Sequence, residues 1–130
     1  GITKKETYEN FQNQILEKKI SIWKFFSKVK KENKKIAGYG APAKGNTMLN
    51  YCQIGKDFIN FTVDKNPAKQ GKLLPGTHIP IFNLKKINEF KPDYLVILPW
   101  NLKEEIVEEM KYIRKWGGKF VVLTPKVKIF

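Results

Sequence analysis

The sequence predicts an α/β domain: a parallel sheet of about five strands with helices on both faces, preceded by one long helix. Three observations predict it. An apolar stripe at helical spacing runs without Pro or Gly through the N-terminal segment. Short apolar runs then alternate with helical segments. One run, Asp93 to Leu98 (DYLVIL), is almost continuously apolar, as strands buried on both faces of a parallel sheet are.

In chain order, Tyr8, Phe11, Ile15, Ile22, Phe26 and Val29 recur at helical spacing, with Leu16, Ile20 and Trp23 widening the stripe. A helix from about Thr7 to Asn33 is expected. Phe25 and Phe26 are adjacent and are not expected to face one core together. The helix is therefore expected to pack on the following domain and also on a neighbour outside the chain. Residues 35–40 (KIAGYG) read as a short buried strand entering a glycine turn. Ala43 to Tyr51 is helical, with Met48, Leu49 and Cys52 on its apolar side. Phe58 to Val63 (FINFTV) is the second strand, ending at Asp64. Lys65 to His78 is a long loop, marked by Asn66-Pro67, Gly71 and Pro75-Gly76. Ile79 to Phe82 is a short third strand and Asn83 to Phe90 a helical turn or two.

After the DYLVIL strand, Asn101 is expected to cap the next helix, with Glu104 completing a capping box. Leu102, Ile106, Met110 and Ile113 line its buried face, and Gly117 and Gly118 end it. Lys119 to Leu123 (KFVVL) is the last strand, and the tail Thr124 to Phe130 is expected to fray. With right-handed crossovers this order is Rossmann-like. The chain divides into a connecting helix, residues 1–34, and a Rossmann-like domain, residues 35–130. It opens on Gly1 rather than Met, so a piece cut from a longer protein is expected.

A length of 130 residues fits one domain, and a hydrophobic fraction of 42% excludes a disordered chain. No apolar run is long enough to span a bilayer and the start lacks a signal-peptide core, so a cytoplasmic protein without a membrane partner is expected. The single Cys52 excludes an internal disulfide and a cysteine-based zinc site. No metal-ligand set is expected in this chain. The net charge of +13 rests on lysines spread along the chain, with Arg114 the only arginine. Abundant Lys, Asn and Ile look like the imprint of an AT-rich genome. Bidentate base and phosphate contacts favour arginine, so salt-sensitive attraction to polyanions is expected and specific nucleic-acid binding is not.

Gly38-Tyr39-Gly40-Ala41-Pro42-Ala43 matches G-x-G-x-x-A between a strand and a helix, the setting that dinucleotide-type phosphate binding requires. Glycines allow the tight turn, the helix start offers N–H groups to a phosphate, and Lys44 adds a mobile cation. Asp64, at the end of the second strand, suits ribose hydroxyls. The order Lys44-Gly45 excludes a P-loop. The same glycines also suit a turn that needs them for geometry alone. Trp100 and Asn101 follow the fourth strand, at the carboxyl edge where open sheets bind ligands. His78 is the only histidine and reads as a loop hydrogen-bonder; Cys52 reads as packing. No catalytic residue is expected, because no convincing acid–base pair is present. A dinucleotide-binding domain of the NAD type, an interaction domain and a nucleic-acid binder remain open on the residues alone.

Four stretches carry a more specific signal: GYGAPAKGNTMLNYC (38–52), FTVDKNPAKQGKLLPGTHIPI (61–81), KPDYLVILPWNLKEEI (91–106) and WGGKFVV (116–122). They resemble the C-terminal domain of S-adenosylmethionine-dependent sugar C-methyltransferases. The resemblance implies a three-domain enzyme that methylates a ring carbon of a nucleotide-linked deoxysugar. S-adenosylmethionine and the catalytic base would belong to the middle domain and zinc to the N-terminal one, both outside this chain. The chain alone would then bind no cofactor and be inactive. Its partners would be the nucleotide-sugar and the methyltransferase domain. Carried onto this sequence, the implied contacts are Gly38, Tyr39, Gly40, Ala41, Pro42, Ala43, Lys44, Gly45, Asn46 and Thr47, then Asp64, Lys65, Asn66 and Lys69, then Thr77 and His78. The family pattern has Arg where Lys65 and Lys72 stand and a glycine near Gln53. Lysine forgoes the planar two-point grip on phosphate.

Overall fold

Capping chemistry sets the start of the first helix. The computed structural model describes residues 3–130, so residues 1 and 2 of the expected connecting helix lie outside the described residues. Thr3 accepts the Glu6 N–H at 3.1 Å and donates its own N–H to Glu6 Oε2 at 3.2 Å. This capping box opens α1, Lys4–Lys31, one turn ahead of the apolar stripe. Lys28, Lys30 and Lys31 complement the helix dipole in the last turn.

The stripe is only partly buried. Ile22, Phe25, Phe26 and Val29 enter the core, whereas Tyr8 and Phe11 are exposed. Phe25 and Phe26 do share one core, contrary to expectation. Phe26 points straight in, against Phe58, while Phe25 lies on the flank of the buried arc against Tyr94 with ring centroids 5.7 Å apart. A helix face is wide enough to bury neighbours when the opposing sheet offers an aromatic such as Tyr94 to the flanking one.

The sheet contains β1 (Ile36–Tyr39), β2 (Thr62–Val63), β3 (Ile81–Phe82), β4 (Tyr94–Ile97), β5 (Lys119–Val122) and β6 (Lys128–Ile129). Its order is β3-β2-β1-β4-β5-β6. The first five pair in parallel, with Gly38 opposite both Thr62 and Val96. α2 (Ala43–Tyr51) follows β1, α3 (Lys85–Phe90) follows β3 and α4 (Lys103–Glu109) lies between β4 and β5. Side chains alternate across the sheet. Ile36, Val96 and Val121 meet α1 and α2 on one face; Ala37, Leu95, Ile97 and Phe120 meet the α3 and α4 side on the other. The predicted Rossmann-like class is the one observed.

Local departures have local causes. The tail does not fray: β6 pairs antiparallel with β5, and Phe130 stacks on Phe120 while the two exchange backbone hydrogen bonds of 2.9 Å. β2 is shorter than expected because the Phe58 and Ile59 N–H groups both donate to the Gly55 carbonyl, closing a turn. Phe58 then packs under α1 against Trp23 instead of extending the strand. Asn101 does not cap a helix. It sits inside a 3-10 turn, Trp100–Leu102, closed by the Leu102 N–H donating to the Pro99 carbonyl at 2.8 Å. Leu102 therefore occupies the cap position of α4, without a side-chain cap bond, and the Asn101–Glu104 box is not formed. A further 3-10 stretch, Lys111–Trp116, ends at Gly117 in a left-handed conformation. Among the described residues no helix is long and apolar enough to cross a membrane.

Candidate functional site

The strand order reverses beside β1. The chain leaves β1 for α2 on one face and leaves β4 for α4 on the other, opening a crevice at their carboxyl ends. The glycine turn forms its floor. Gly40 has φ +93°, and a Cβ there would lie 2.7 Å from Pro99 Cδ. Its N–H donates to the Val63 carbonyl at 2.6 Å, and its carbonyl accepts the Thr62 hydroxyl at 2.7 Å. Gly45 lets α2 lie close to the chain leaving β4, since a Cβ would be 3.1 Å from Leu98. Gly40 thus has its backbone polar groups engaged within the sheet.

The available donors lie one step further on, in the first turn of α2. Helix-start N–H groups lack intrahelical partners, and the cap residue Pro42 brings no side-chain acceptor. Lys44 projects from the same turn, exposed.

The crevice has two lobes that share Pro42 and Pro99. The first, of about 310 Å³, gathers Tyr39, Gly40, Ala41, Pro42, Asp64, Lys65 and Lys69 opposite Leu102, Glu105, Ile106 and Glu109. The second, also about 310 Å³, gathers Ala43 and Lys44 with Leu98, Trp100 and Asn101. The first lobe holds carboxylates, lysines and a phenol; the second holds the open helix start, with Lys44 as its only charged side chain.

The first lobe is internally wired. The Tyr39 hydroxyl donates to Glu109 Oε1 at 2.8 Å, and Lys65 Nζ pairs with Glu109 Oε2 at 2.7 Å. Lys69 Nζ donates to the Ala41 carbonyl at 3.3 Å. Asp64 Oδ1 accepts the Asn66 N–H and Asn66 Oδ1 accepts the Ala68 N–H, fixing the loop beyond β2 in Asx turns. Burial raises the Tyr39 pKa, and the Glu109 hydrogen bond and charge push it further. Burial, then Glu109, also raises that of Tyr112.

These shifts give stability an alkaline limit. Well below the ordinary tyrosine value of 10.0, folded and unfolded chains both keep the Tyr39 proton. Above it the unfolded chain releases the proton first, so stability falls as pH rises. The urea midpoint is expected to decline above about pH 10, and to decline less steeply in Tyr39→Phe. Equal slopes in the two proteins would contradict the burial of this phenol.

Other expected contacts lie elsewhere. Gly38 is inside β1, where a Cβ would meet the Thr62 hydroxyl at 3.0 Å. The Thr47 hydroxyl donates to the Ala43 carbonyl, and Asn46 joins Asn50 in donating to the Pro75 carbonyl. Thr77 and His78 belong to the loop tethered by that contact and line neither lobe. His78 is exposed at φ 59°. Cys52 is buried in the core between α1 and α2, and burial raises its thiol pKa. Glu105 and Glu109 were not foreseen. Their spacing of four puts both on one helix face, adjacent to the Ile106–Met110 stripe, but nothing in the sequence pairs them with β1. Among the described residues no group of three or more His, Cys, Asp or Glu is placed to hold a metal ion.

Comparison with known proteins adds three findings. The model of the C-methyltransferase C-terminal domain family matches residues 1–125. The chain is 36% identical over 129 residues to the C-methyltransferase NovU of Streptomyces niveus, covering 99% of this chain and 31% of that protein. It thus spans under a third of that relative's length. A crystal structure of UDP-D-quinovosamine 4-dehydrogenase from Vibrio fischeri is 20% identical and covers 68% of this chain and 76% of its own, with a TM-score of 0.49. With the family match running over residues 1–125, through α1 and all five parallel strands, the chain belongs to the C-methyltransferase C-terminal domain family.

Proposed function

We propose that this domain holds the nucleotide-sugar substrate of an S-adenosylmethionine-dependent C-methyltransferase and is itself non-catalytic. The observation that carries this reading is the pairing of the two lobes: open helix-start amides with Lys44 beside a lobe lined by Asp64, Tyr39 and Glu109. The amides and Lys44 suit one phosphate of a diphosphate and the lysines of the first lobe the other, while the carboxylates suit the hydroxyls of ribose or sugar. S-adenosylmethionine, bound in its own domain, supplies the electrophilic methyl group. The base that prepares the sugar carbon and the zinc belong to the other domains. Tyr39 is held protonated by its surroundings, which suits a hydrogen-bonding role rather than a base.

The division at residues 34 and 35 fits this reading. The exposed Tyr8 and Phe11 lie on α1 in line with buried Ile22 and Phe26, and the methyltransferase domain would cover this strip. The lysine-rich charge then has no specific nucleic-acid partner, and the enzyme works in the cytoplasm.

Titration of the isotope-labelled chain with uridine diphosphate, followed by NMR, tests the assignment. The amides of Ala43, Lys44 and Gly45 are expected to shift, and Lys44→Ala to weaken binding about three- to tenfold. Shifts confined to another face, or unchanged affinity in Lys44→Ala, would refute it. Preference for NAD over uridine diphosphate would point to a dinucleotide site instead.

A further inference from the structure

We propose that Glu109 is a positioning residue that holds Lys65 across the mouth of the crevice and yields it to an incoming diphosphate; this rests on the nucleotide-sugar reading of the crevice. Lys65 follows β2 and Glu109 lies at the end of α4, and β1, whose Tyr39 lies between them, runs beside both β2 and β4. Their 2.7 Å ion pair therefore crosses the first lobe, which both residues line.

The two ends of this strap differ in firmness. Glu109 is anchored: its other oxygen accepts the hydroxyl of Tyr39, whose side chain is packed in the core at 6% exposure. The backbone beyond Lys65 is fixed by the Asp64 and Asn66 turns, but the lysine side chain itself is 64% exposed. An ion pair this wet is weak. A diphosphate offers the ammonium more charge and more acceptor oxygens than one carboxylate does. Lys65 can transfer to it at small cost, and Glu109 keeps the Tyr39 hydroxyl as its partner. The strap thus favours ligands whose phosphates reach the β2 side of the crevice.

The test is a double-mutant cycle on the chain, read by calorimetric titration with uridine diphosphate. Glu109→Gln is expected to tighten binding about two- to fivefold, because Lys65 no longer has to be withdrawn from a carboxylate. Lys65→Ala is expected to weaken binding, and Lys65→Ala with Glu109→Gln to match Lys65→Ala alone. Both side chains sit at the surface of the crevice, and circular dichroism verifies that each variant folds. Unchanged or weaker binding by Glu109→Gln overturns the proposal. So does a gain of the same size in the Lys65→Ala background, which would be simple removal of a charge. Lys44→Ala, titrated in parallel, separates the two levels of inference. If it weakens binding while the cycle shows no coupling, the site stands and the strap fails. If the unaltered chain does not bind uridine diphosphate, both fail.

Discussion

Gly40→Ala is expected to lower the unfolding free energy by about 2–5 kcal/mol, the sum of an unfavourable positive φ and an overpacked contact. The added methyl would stand 2.7 Å from Pro99 Cδ, and the backbone there holds φ +93°. Neither side can give way easily. Proline is rigid, and the Gly40 N–H and carbonyl are both held by β2 residues, Val63 and Thr62. Gly71 provides the control. It has φ +83°, but nothing lies within 4 Å of an added Cβ. Gly71→Ala should therefore cost about 1–2 kcal/mol, the conformational part alone. Urea midpoints of the two variants measure the difference. Similar losses in both would show that the contact with Pro99 is unimportant. The expected result also means that lost ligand binding in a Gly40 variant would report a disturbed fold, not a blocked phosphate.

Phe26→Ala is expected to cost about 3–5 kcal/mol and Phe11→Ala less than about 0.5 kcal/mol, although both lie on the same apolar stripe of the same helix. Phe26 is 0% exposed and packs edge-on against Phe25 and Phe58, so its removal leaves a cavity the sheet cannot refill. Phe11 is 57% exposed. Urea unfolding of both variants reads the contrast directly. A loss below about 1 kcal/mol for Phe26→Ala would mean that α1 is not part of the domain's core.

That contrast shows what the sequence could and could not reveal. Periodicity identified α1, because a helix declares its apolar face whatever covers it; it could not say which part of the face is covered by this domain. The alternation of strands and helices, and the uninterrupted DYLVIL run, were enough for the parallel sheet. The glycine turn was legible because its spacing encodes a backbone conformation. Where donors and acceptors are decided by distant partners, the reading failed. Pro99 closes a turn over Trp100–Leu102 and displaces Asn101 from the cap. Phe120 recruits Phe130 and orders the tail. Glu109 meets Tyr39 only because α4 returns over the end of β1. Each depends on contacts between segments far apart in sequence, which no local pattern records.

The closing ribbon beside β5 also bears on self-association. An open sheet carries unpaired N–H and C=O groups along each edge, a template for another chain to join. β6 occupies that row along Val121 and Val122 and presents in its place a pairing edge only two residues long, with Lys128 exposed. The opposite edge, β3, is equally short, and the Leu73–Pro80 bridge lies just ahead of it, at a proline that cannot donate to a ladder. Neither flank offers a long flat strand, and a net charge of +13 makes like molecules repel. A sheet rich in Val and Ile thereby presents little edge for another chain to extend.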